Sequence, residues 1–420
     1  MDLTAMGKAA RQAARQMALS SDGDRRQALE ALAAGLAEQQ AAILEANQLD
    51  VAEAREAGLT PALIDRLTLT PARLHGMAAD VRAVAALPDP LGTRFDERTL
   101  PNGLRVHRQR VPIGVLGVIY EARPNVTVDV AALAIRTGNV AILRGGSETI
   151  RSNQALLAAV RAGLAAASLP AAAVQFIDDP DRRYVSELLR LHEYVDLIIP
   201  RGGNALHEFC RANSNIPVIT GGIGICHLYV DESADLAAAL PVIRNAKVQR
   251  PSVCNALDTV LVHQAVARAF LPQVVAALAE DGVTFRAEPR SLLALGDGRA
   301  PAVVQPAGPA DFDTEWLSLV LGLKVVDGLD EAMAHIAAHS TAHSDGILTA
   351  TRAHAERFVA EVDSAVVYVN ASTRFSDGAQ LGLGAEVAVS TQRLHARGPM
   401  GLPELTSYKW VVQGDYTVRP

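Results

Sequence analysis

The sequence is short of several features that would each point to a particular class of protein. It has three cysteines in 420 residues and no CxxC pair, so it lacks both a disulfide framework and the paired thiols of a zinc ribbon. No stretch approaches the ~18 apolar residues that cross a bilayer, and the N-terminus has no apolar signal-peptide core. These absences predict a soluble protein of a reducing compartment, and we expect it in the cytoplasm.

Aromatic residues and positive charge are also scarce. Phe, Trp and Tyr make up 4% of the chain, so the core must be built from Ala, Val, Leu and Ile, which suits parallel sheets covered by helices. The formal net charge is −7, and Lys and Arg form no stripe, which disfavours nucleic acid or a membrane as the main partner. With 49% hydrophobic and 20% charged residues, the composition excludes disorder as the main theme.

The order of the predicted elements indicates an α/β protein. Apolar residues at helical spacing cover about residues 3–87, and a turn at Pro101-Asn102-Gly103 predicts a protruding hairpin. Two series of short apolar strands alternate with helices, the pattern of parallel sheets. We predict these strands at 114–120, 140–143, 174–177 and 195–199, and then at 228–230, 259–263, 322–326, 346–349 and 365–370. We predict a surface loop at 288–313 and a strand at 408–419 that pairs with the hairpin or with another subunit.

The surroundings of each cysteine predict whether its thiol packs or reacts. Cys210 lies at helical spacing from a leucine and Cys226 leads into an apolar strand, so both are expected to be buried. Cys254 lies in a polar segment shortly after Lys247 and Arg250. Cations stabilise a thiolate, and a loop leaves the sulfur reachable. Cys254 is therefore a candidate nucleophile, and a structural cysteine is the alternative.

Two glycine-rich connections have the layout of a phosphate site. Residues 144–148 and 201–204 each carry an arginine and two glycines between a predicted strand and a predicted helix, which turns backbone N–H groups toward an anion. Because ligands lie at the carboxyl ends of parallel strands, they favour a dinucleotide site. Neither is a GxGxxG motif or a P-loop, so glycines that serve only the turn are the alternative.

Two other patterns have a plain structural alternative. His335, His339 and His343 are spaced by four, as zinc ligands on one helix face would be, but the residues after His339 predict that the helix ends before His343. No cysteine or carboxylate pair completes the set, so we expect a solvated helix face and no metal. The basic segment 393–399 could bind an anionic substrate or pair with surface carboxylates.

Long segments of the chain resemble one family. These are residues 111–125, 138–148, 249–255, 394–402 and 404–409. Through them, and essentially end to end, the chain resembles the γ-glutamyl phosphate reductases of the aldehyde dehydrogenase superfamily. The resemblance implies two Rossmann-like parallel-sheet domains and a small β element for oligomerisation.

The same resemblance implies how the chain is divided and with what it associates. Residues 1–97 and 112–226 would form an NADPH-binding domain, and 227–400 a catalytic domain with the nucleophilic cysteine. Residues 98–111 and 401–420 would form the oligomerisation hairpin and C-terminal strand. A homo-oligomer is therefore expected, while an association with glutamate 5-kinase is left open.

The activity implied is the NADPH-dependent reduction of L-glutamate 5-phosphate to L-glutamate 5-semialdehyde with release of phosphate, the second step of proline biosynthesis from glutamate. Cys254 would attack the acyl phosphate and form a thioester. The Cys254 backbone N–H and the Asn125 amide are the candidates for stabilising the oxyanion. Hydrolytic members of the superfamily have a general-base Glu where this chain has Thr220, which accepts no proton at neutral pH. Phosphate-linked chemistry is thus favoured over plain aldehyde oxidation.

The resemblance also assigns binding residues. The cofactor candidates are Arg144, Gly145, Gly146, Ser147 and Glu148 near the adenosine ribose, Gly202 and Gly203 near the pyrophosphate, and Glu315 on the nicotinamide ribose. Arg144 and Ser147 can donate to a 2′-phosphate that Glu148 would repel, so NADPH is favoured over NADH. For Glu315 an ordinary surface carboxylate is the alternative. The substrate candidates are Arg123, Asn370, Ser372, Arg374, Arg397 and Lys409.

Two other functions stay open at the level of sequence. An NAD-dependent aldehyde oxidiser of the same superfamily would turn over glutamate semialdehyde without inorganic phosphate. A non-catalytic cofactor-binding scaffold could keep the fold, since fold does not determine function. Phosphate dependence separates the first from the reductase, and the reactivity of the Cys254 thiol separates the second.

Overall fold

The structure, a computed structural model, describes residues 1–221, 223–296 and 302–419. Within these ranges the chain forms fourteen α-helices and sixteen strands, and it divides into two compact units. Unit 1 comprises Met1–Thr220, Gly382–Ala388 and Met400–Pro420, and unit 2 comprises Gly221–Leu381 and Val389–Pro399. None of the helices in the described ranges is both long and apolar enough to cross a membrane.

Unit 1 begins with five helices, as the apolar spacing predicts. They are α1 (Leu3–Met17), α2 (Asp22–Glu38), α3 (Gln40–Glu56), α4 (Pro61–Leu67) and α5 (Pro71–Ala86). Their starts follow from local chemistry. The Ser21 hydroxyl accepts from the Asp24 N–H while the Asp24 carboxylate accepts from the Ser21 N–H, a capping box. Thr60 and Thr70 cap the two helices that begin with proline.

A four-stranded parallel sheet lies at the centre of unit 1. Its strands are β3 (Val115–Tyr120), β4 (Val140–Arg144), β5 (Val174–Phe176) and β6 (Leu197–Arg201), in the order β5-β4-β3-β6. The helices after them are α6 (Asn125–Arg136), α7 (Ile150–Ala166), α8 (Arg183–Leu188) and α9 (Asn204–Asn213). β3 and β4 are buried along their whole length, as expected of strands covered by helices on both faces. The first predicted strand series and the α/β fold class are confirmed.

A small antiparallel sheet completes unit 1. The predicted hairpin is formed by β1 (Arg94–Thr99) and β2 (Arg105–Pro112), and β16 (Thr406–Gln413) pairs with β2 along its whole length. Of the two partners predicted for the C-terminal strand, the structure shows the hairpin of the same chain. β16 is an edge strand with Tyr408 and Trp410 each about half exposed.

Unit 2 contains a seven-stranded parallel sheet in the order β10-β9-β11-β8-β7-β12-β13. The strands are β7 (Cys226–Val230), β8 (Leu257–His263), β9 (Thr284–Ala287), β10 (Val304–Pro306), β11 (Val320–Val326), β12 (Ser344–Leu348) and β13 (Val366–Val369). The helices are α10 (Leu236–Val248), α11 (Gln264–Ala279), α12 (Pro289–Leu295), α13 (Leu329–His339) and α14 (Arg352–Glu361). β14 (Val389–Ser390) pairs with β15 (Gly398–Pro399) in a short ladder. Apolar clusters pack on the sheet, and the second strand series is confirmed.

Two expectations need correction. The loop predicted at 288–313 contains α12, capped by Glu288, and the edge strand β10, while its residues 297–301 lie outside the described residues. The solvated histidine face is wrong, because His335 and His343 are buried. Among the described residues no group of three metal-ligating side chains is placed to hold an ion.

The predicted domain bounds also differ from the compact units. The boundary between the units follows Thr220 rather than residue 226, and the small antiparallel sheet belongs to unit 1. The roles assigned to the domains stay predictions.

Candidate active site

Cys254 lies in the turn that enters β8, at the amino edge of the seven-stranded sheet. It is half-buried, whereas Cys210 and Cys226 are fully buried. Burial raises the pKa of Cys210 to about 11 and raises the pKa of Cys226 well above its usual range. These two thiols therefore keep their protons at neutral pH, as their predicted packing roles require. Of the three cysteines, Cys254 is the one that lies in a turn and is partly exposed.

Gly224 packs directly against the backbone of Cys254. A methyl group at Gly224 would overlap the Cys254 carbonyl oxygen and would lie 2.5 Å from the carbonyl carbon. The Cys226 thiol donates to the same carbonyl oxygen at 3.3 Å. The start of β7 therefore forms the support on which the Cys254 turn rests. Sequence analysis missed this role, although Gly224 closes a glycine-rich stretch just before a predicted strand.

Glu315 lies on the other side of Gly224. Its Oε1 accepts the Gly224 N–H at 2.8 Å, and the next residue, Trp316, donates its N–H to Asp258 Oδ1 at 3.3 Å. Burial raises the pKa of the Glu315 carboxyl, while the Gly224 hydrogen bond acts in the opposite direction. Gly224 therefore contacts both Glu315, the predicted ribose-binding carboxylate, and Cys254, the candidate nucleophile. Glu315 is half-buried rather than an exposed surface group.

The positive charge near Cys254 differs from the prediction, which named Lys247 and Arg250. Lys247 is fully buried, and its Nζ lies 3.5 Å from Asp258 Oδ1, so its charge faces a carboxylate. Burial raises the pKa of Asp258 to about 6, against the effect of Lys247. Arg374 interacts electrostatically with Cys254 instead: burial and the charge of Arg250 lower the pKa of Arg374, and Cys254 acts to raise it.

The loop after β13 holds three predicted substrate residues. Arg374 donates from Nε to Gln249 at 3.0 Å and from Nη1 to the Asn255 side chain. Ser372 caps a short 3-10 turn by accepting the Arg374 N–H. Asn370 has φ of 54° and uses its amide to exchange hydrogen bonds of 2.8 and 2.9 Å with the Thr349 backbone. Arg374 and Ser372 thus come beside the Cys254 turn, and Asn370 braces the loop.

The other substrate candidates lie in different surroundings. Arg397 is bound to Asp363, with Nη1 2.7 Å from Oδ1. Arg123 is exposed in the connection after β3, and Lys409 is exposed in the middle of β16. Arg123 and Lys409 belong to unit 1, so within unit 2 the predicted substrate residues beside the Cys254 turn are Arg374 and Ser372.

Asn125, the candidate oxyanion donor, is the first residue of α6. Its Nδ2 donates to Asp129 Oδ2 at 2.9 Å. Burial raises the pKa of Asp129 to about 6, and the bond from Asn125 acts in the opposite direction. Because an amide nitrogen carries two hydrogens, this bond orients the Asn125 amide and leaves its second hydrogen for another acceptor.

The glycine-rich connection after β4 is braced from inside. Arg144, the last residue of β4, is buried and donates from Nη2 to the Pro180 carbonyl at 2.8 Å and from Nη1 to the Gly145 carbonyl. Burial lowers the pKa of Arg144. Glu148 turns inward as well, and its Oε1 accepts the Ala122 N–H at 2.8 Å. Ser147, by contrast, is exposed and lies 3.4 Å from Glu148 Oε2.

The connection after β6 already holds an anionic group. Glu121 Oε2 accepts the Gly203 N–H at 3.0 Å, at the N-terminus of α9. A side chain at Gly202 would collide with the same carboxylate, whereas one at Gly203 would meet open space. A helix N-terminus attracts negative charge through its unpaired N–H groups and its dipole. The Glu121 carboxylate therefore occupies the position predicted for a pyrophosphate. Glu121 is a residue that the sequence did not predict for this site.

Thr220, in the place of the general base, is the last residue of the first segment of unit 1. Gly221 forms an antiparallel bridge with Ser390, and Gly222 lies outside the described residues. A hydroxyl there takes up no proton at neutral pH.

Comparison with known proteins places the chain in a family. The profile of the Aldehyde dehydrogenase family matches residues 1–286. A gamma-glutamyl phosphate reductase from Aeromonas salmonicida is 59% identical over 420 residues and covers 100% of both chains. The chain belongs to the gamma-glutamyl phosphate reductase family. A second reductase of this name, from Roseiflexus castenholzii, is 58% identical and covers 100% of this chain and 99% of its own.

Solved structures agree with this family. The crystal structure of the gamma-glutamyl phosphate reductase from Thermotoga maritima has a TM-score of 0.97 and 46% identity, and covers 100% of both chains. An acetylating aldehyde dehydrogenase from Geobacillus thermoglucosidasius has a TM-score of 0.70 at 18% identity and covers 100% of this chain and 97% of its own, which shows the shared fold. The predicted membership and the aldehyde dehydrogenase-like fold are confirmed.

Proposed function

We propose that the protein reduces L-glutamate 5-phosphate to L-glutamate 5-semialdehyde with release of phosphate, using Cys254 as the nucleophile. The observation that carries this proposal is the Cys254 turn. It is supported by Gly224, which also binds the Glu315 carboxylate. The whole chain, including this turn, aligns from end to end with gamma-glutamyl phosphate reductases.

The chemistry follows from these groups. The Cys254 thiolate attacks the acyl carbon, the C–O bond to phosphate breaks with its electron pair leaving on phosphate, and a thioester remains on the sulfur. A nicotinamide cofactor, when bound, would supply a hydride to the thioester carbon. Cleavage of the C–S bond, with its electron pair going to sulfur, would then release the aldehyde and regenerate the Cys254 thiolate. The oxyanion that forms at the acyl carbon needs preorganised donors. The Cys254 N–H and the Asn125 amide, already oriented by Asp129, are the donors we propose.

The structure has features that fit such a cofactor. Gly203 donates to a carboxylate at the N-terminus of α9, which shows that an anion is accommodated there. We propose that the cofactor pyrophosphate replaces Glu121 at this N–H, with Gly202 and Gly203 allowing close approach. The segment Arg144 to Glu148 would bind the adenosine ribose, and Glu315 the nicotinamide ribose.

NADPH rather than NADH is the cofactor we propose. Ser147 is exposed and can donate to a 2′-phosphate, while Glu148 Oε1 is held by the Ala122 N–H. Glu148 Oε2 lies 3.4 Å from the Ser147 hydroxyl, so a 2′-phosphate would have to displace it from that hydroxyl. Arg144 is buried with two of its nitrogens on carbonyl groups, so its positive charge acts on the phosphate from within the fold rather than by free approach.

Assembly follows from the edge strand. β16 presents unpaired backbone groups on one side and half-exposed Tyr408 and Trp410, features that favour pairing with another chain. We propose a homo-oligomer formed through this sheet, as predicted for the small β element. An association with glutamate 5-kinase and a cytoplasmic location stay predictions.

The test compares the protein with Cys254→Ser and Cys254→Ala. In the reverse direction, glutamate semialdehyde, inorganic phosphate and NADP⁺ should give NADPH only when phosphate is present. Both variants should lose at least about a hundredfold in kcat, because hydroxyl and methyl groups supply no thiolate. Phosphate-independent NAD⁺ reduction would favour the aldehyde oxidiser, and unchanged kcat in the variants would remove Cys254 from the reaction.

A further inference from the structure

Cys226 is a buried thiol beside the candidate nucleophile that takes no part in the steps above. It is the first residue of β7 and has no exposed surface. Its Sγ donates to the Cys254 carbonyl oxygen at 3.3 Å and lies 3.7 Å from the Gly224 carbonyl oxygen. We propose that Cys226 is a positioning residue, whose thiol holds the Cys254 carbonyl and thereby sets the direction of the Cys254 side chain. The inference rests on the proposed role of Cys254.

The geometry of the peptide unit explains why one carbonyl matters. The peptide group is planar, and the preceding peptide group is held because the Val253 carbonyl accepts the Ala256 N–H at 3.0 Å. Holding the Cys254 carbonyl oxygen as well restricts rotation about the Cα–C bond of Cys254, and with it the position of the side chain. The following residue, Asn255, is held independently. Its backbone carbonyl accepts from Thr373 Oγ1 at 2.7 Å, and its side-chain Nδ2 donates to the Ser376 carbonyl at 3.0 Å. The hydrogen bond from Cys226 holds the Cys254 carbonyl, which lies between the anchored Asn255 and the Cys254 side chain.

Cys226 is itself rigidly placed, which a positioning residue must be. Its strand lies between β8 and β12 in the middle of the sheet. The residues before it are tied down by Thr341, whose Oγ1 accepts the Ile225 N–H at 3.0 Å and donates to the Ile223 carbonyl at 2.9 Å. Burial raises the pKa of the Cys226 thiol, so it keeps the proton it donates.

A second buried cysteine provides a matched control. Cys210, in α9 of unit 1, is equally inaccessible, and its thiol makes no hydrogen bond to another described residue. Removing its sulfur tests the cost of a lost buried thiol without touching the Cys254 turn. Any effect specific to Cys226 therefore stands out against Cys210.

The experiment measures kcat and KM for Cys226→Ala, Cys226→Ser and Cys210→Ala, with thermal melts to verify folding. We expect Cys226→Ala to lower kcat about three- to tenfold, the range of one hydrogen bond, with KM unchanged. Cys226→Ser keeps a donor and should recover most of the loss. Cys210→Ala should keep the wild-type kcat.

The outcomes separate this inference from the proposed function. Wild-type kcat in Cys226→Ala, or equal losses in the Ala and Ser variants, would reduce Cys226 to a packing residue. If the Ala variant does not fold, Cys226→Val replaces it, because valine restores the lost volume without a donor. Cys254→Ser is measured in parallel: if it stays active, the nucleophile is wrong, whereas an inactive Cys254→Ser beside a normal Cys226→Ala refutes only the positioning role.

Discussion

Gly224 is where we expect a single methyl group to damage catalysis most. Its φ is not in the left-handed region, so alanine is compatible with the backbone and space is the only obstacle. The methyl carbon of Gly224→Ala would overlap the Cys254 carbonyl oxygen and lie 2.5 Å from the carbonyl carbon. Ordinary contact begins at 3.4 Å, so the carbonyl carbon alone requires the two segments to separate by about 0.9 Å, and the carbonyl oxygen, which is nearer, requires more.

That separation sets the size of the effect. Moving a catalytic group by ~1 Å can cost about a hundredfold in rate, and here the shift also disturbs the 2.8 Å bond from Gly224 to Glu315. We therefore expect kcat of Gly224→Ala to fall about a hundredfold. The cost in stability should be about 1–3 kcal/mol, as for other overpacked sites.

The assay is phosphate-dependent NADP⁺ reduction by glutamate semialdehyde, with chemical denaturation run in parallel. Gly76→Ala is the matched control, because Gly76 lies in α5 with nothing within 4 Å of an added methyl. It should keep full activity and gain about 0.5–1 kcal/mol. Wild-type kcat in folded Gly224→Ala would refute the view that Gly224 supports the nucleophile.

Two further predictions concern charge. Glu121→Gln removes a carboxylate from the N-terminus of α9, so NADPH should bind about two- to fivefold more tightly, as measured by fluorescence titration; weaker binding would contradict the competition with pyrophosphate. Burial lowers the pKa of His335 from 6.5 to about 3, so its contribution to stability is present above pH 6.5 and is lost as the pH falls toward 3. When the pH falls from about 7.5 to about 5, the free energy of unfolding measured with urea should decrease by up to about 2 kcal/mol less in His335→Gln than in the wild type. Equal decreases would refute the lowered pKa of His335.

The elements that sequence predicted best are those with a strong local signal. β3 and β4 are continuous apolar runs, and the turn at 101–103 announces the hairpin of β1 and β2. The separation of buried Cys210 and Cys226 from half-exposed Cys254 also followed from their neighbours. β9 was missed because Arg286 breaks its apolar run, and α12 and β10 were missed because prolines and glycines surround them.

The support of the site could not be predicted from local patterns. Gly224 and Glu315 meet across 91 residues, and Glu121 and Gly203 across 82. His335 is buried because its ring packs on His227 and Phe312, at centroid distances of 5.4 and 5.3 Å, although its helix spacing is that of a solvated face. Such contacts depend on which strands become neighbours in the sheet.

Cys254 interacts electrostatically with a cation from a distant part of the chain. Reactive cysteines often lie at a helix N-terminus or beside a cation. Here Lys247 faces Asp258, and Arg374 interacts electrostatically with Cys254 and with Arg250. We infer that Arg374 favours a Cys254 thiolate, so that the loop after β13 would contribute to the reactivity of a residue in the turn before β8.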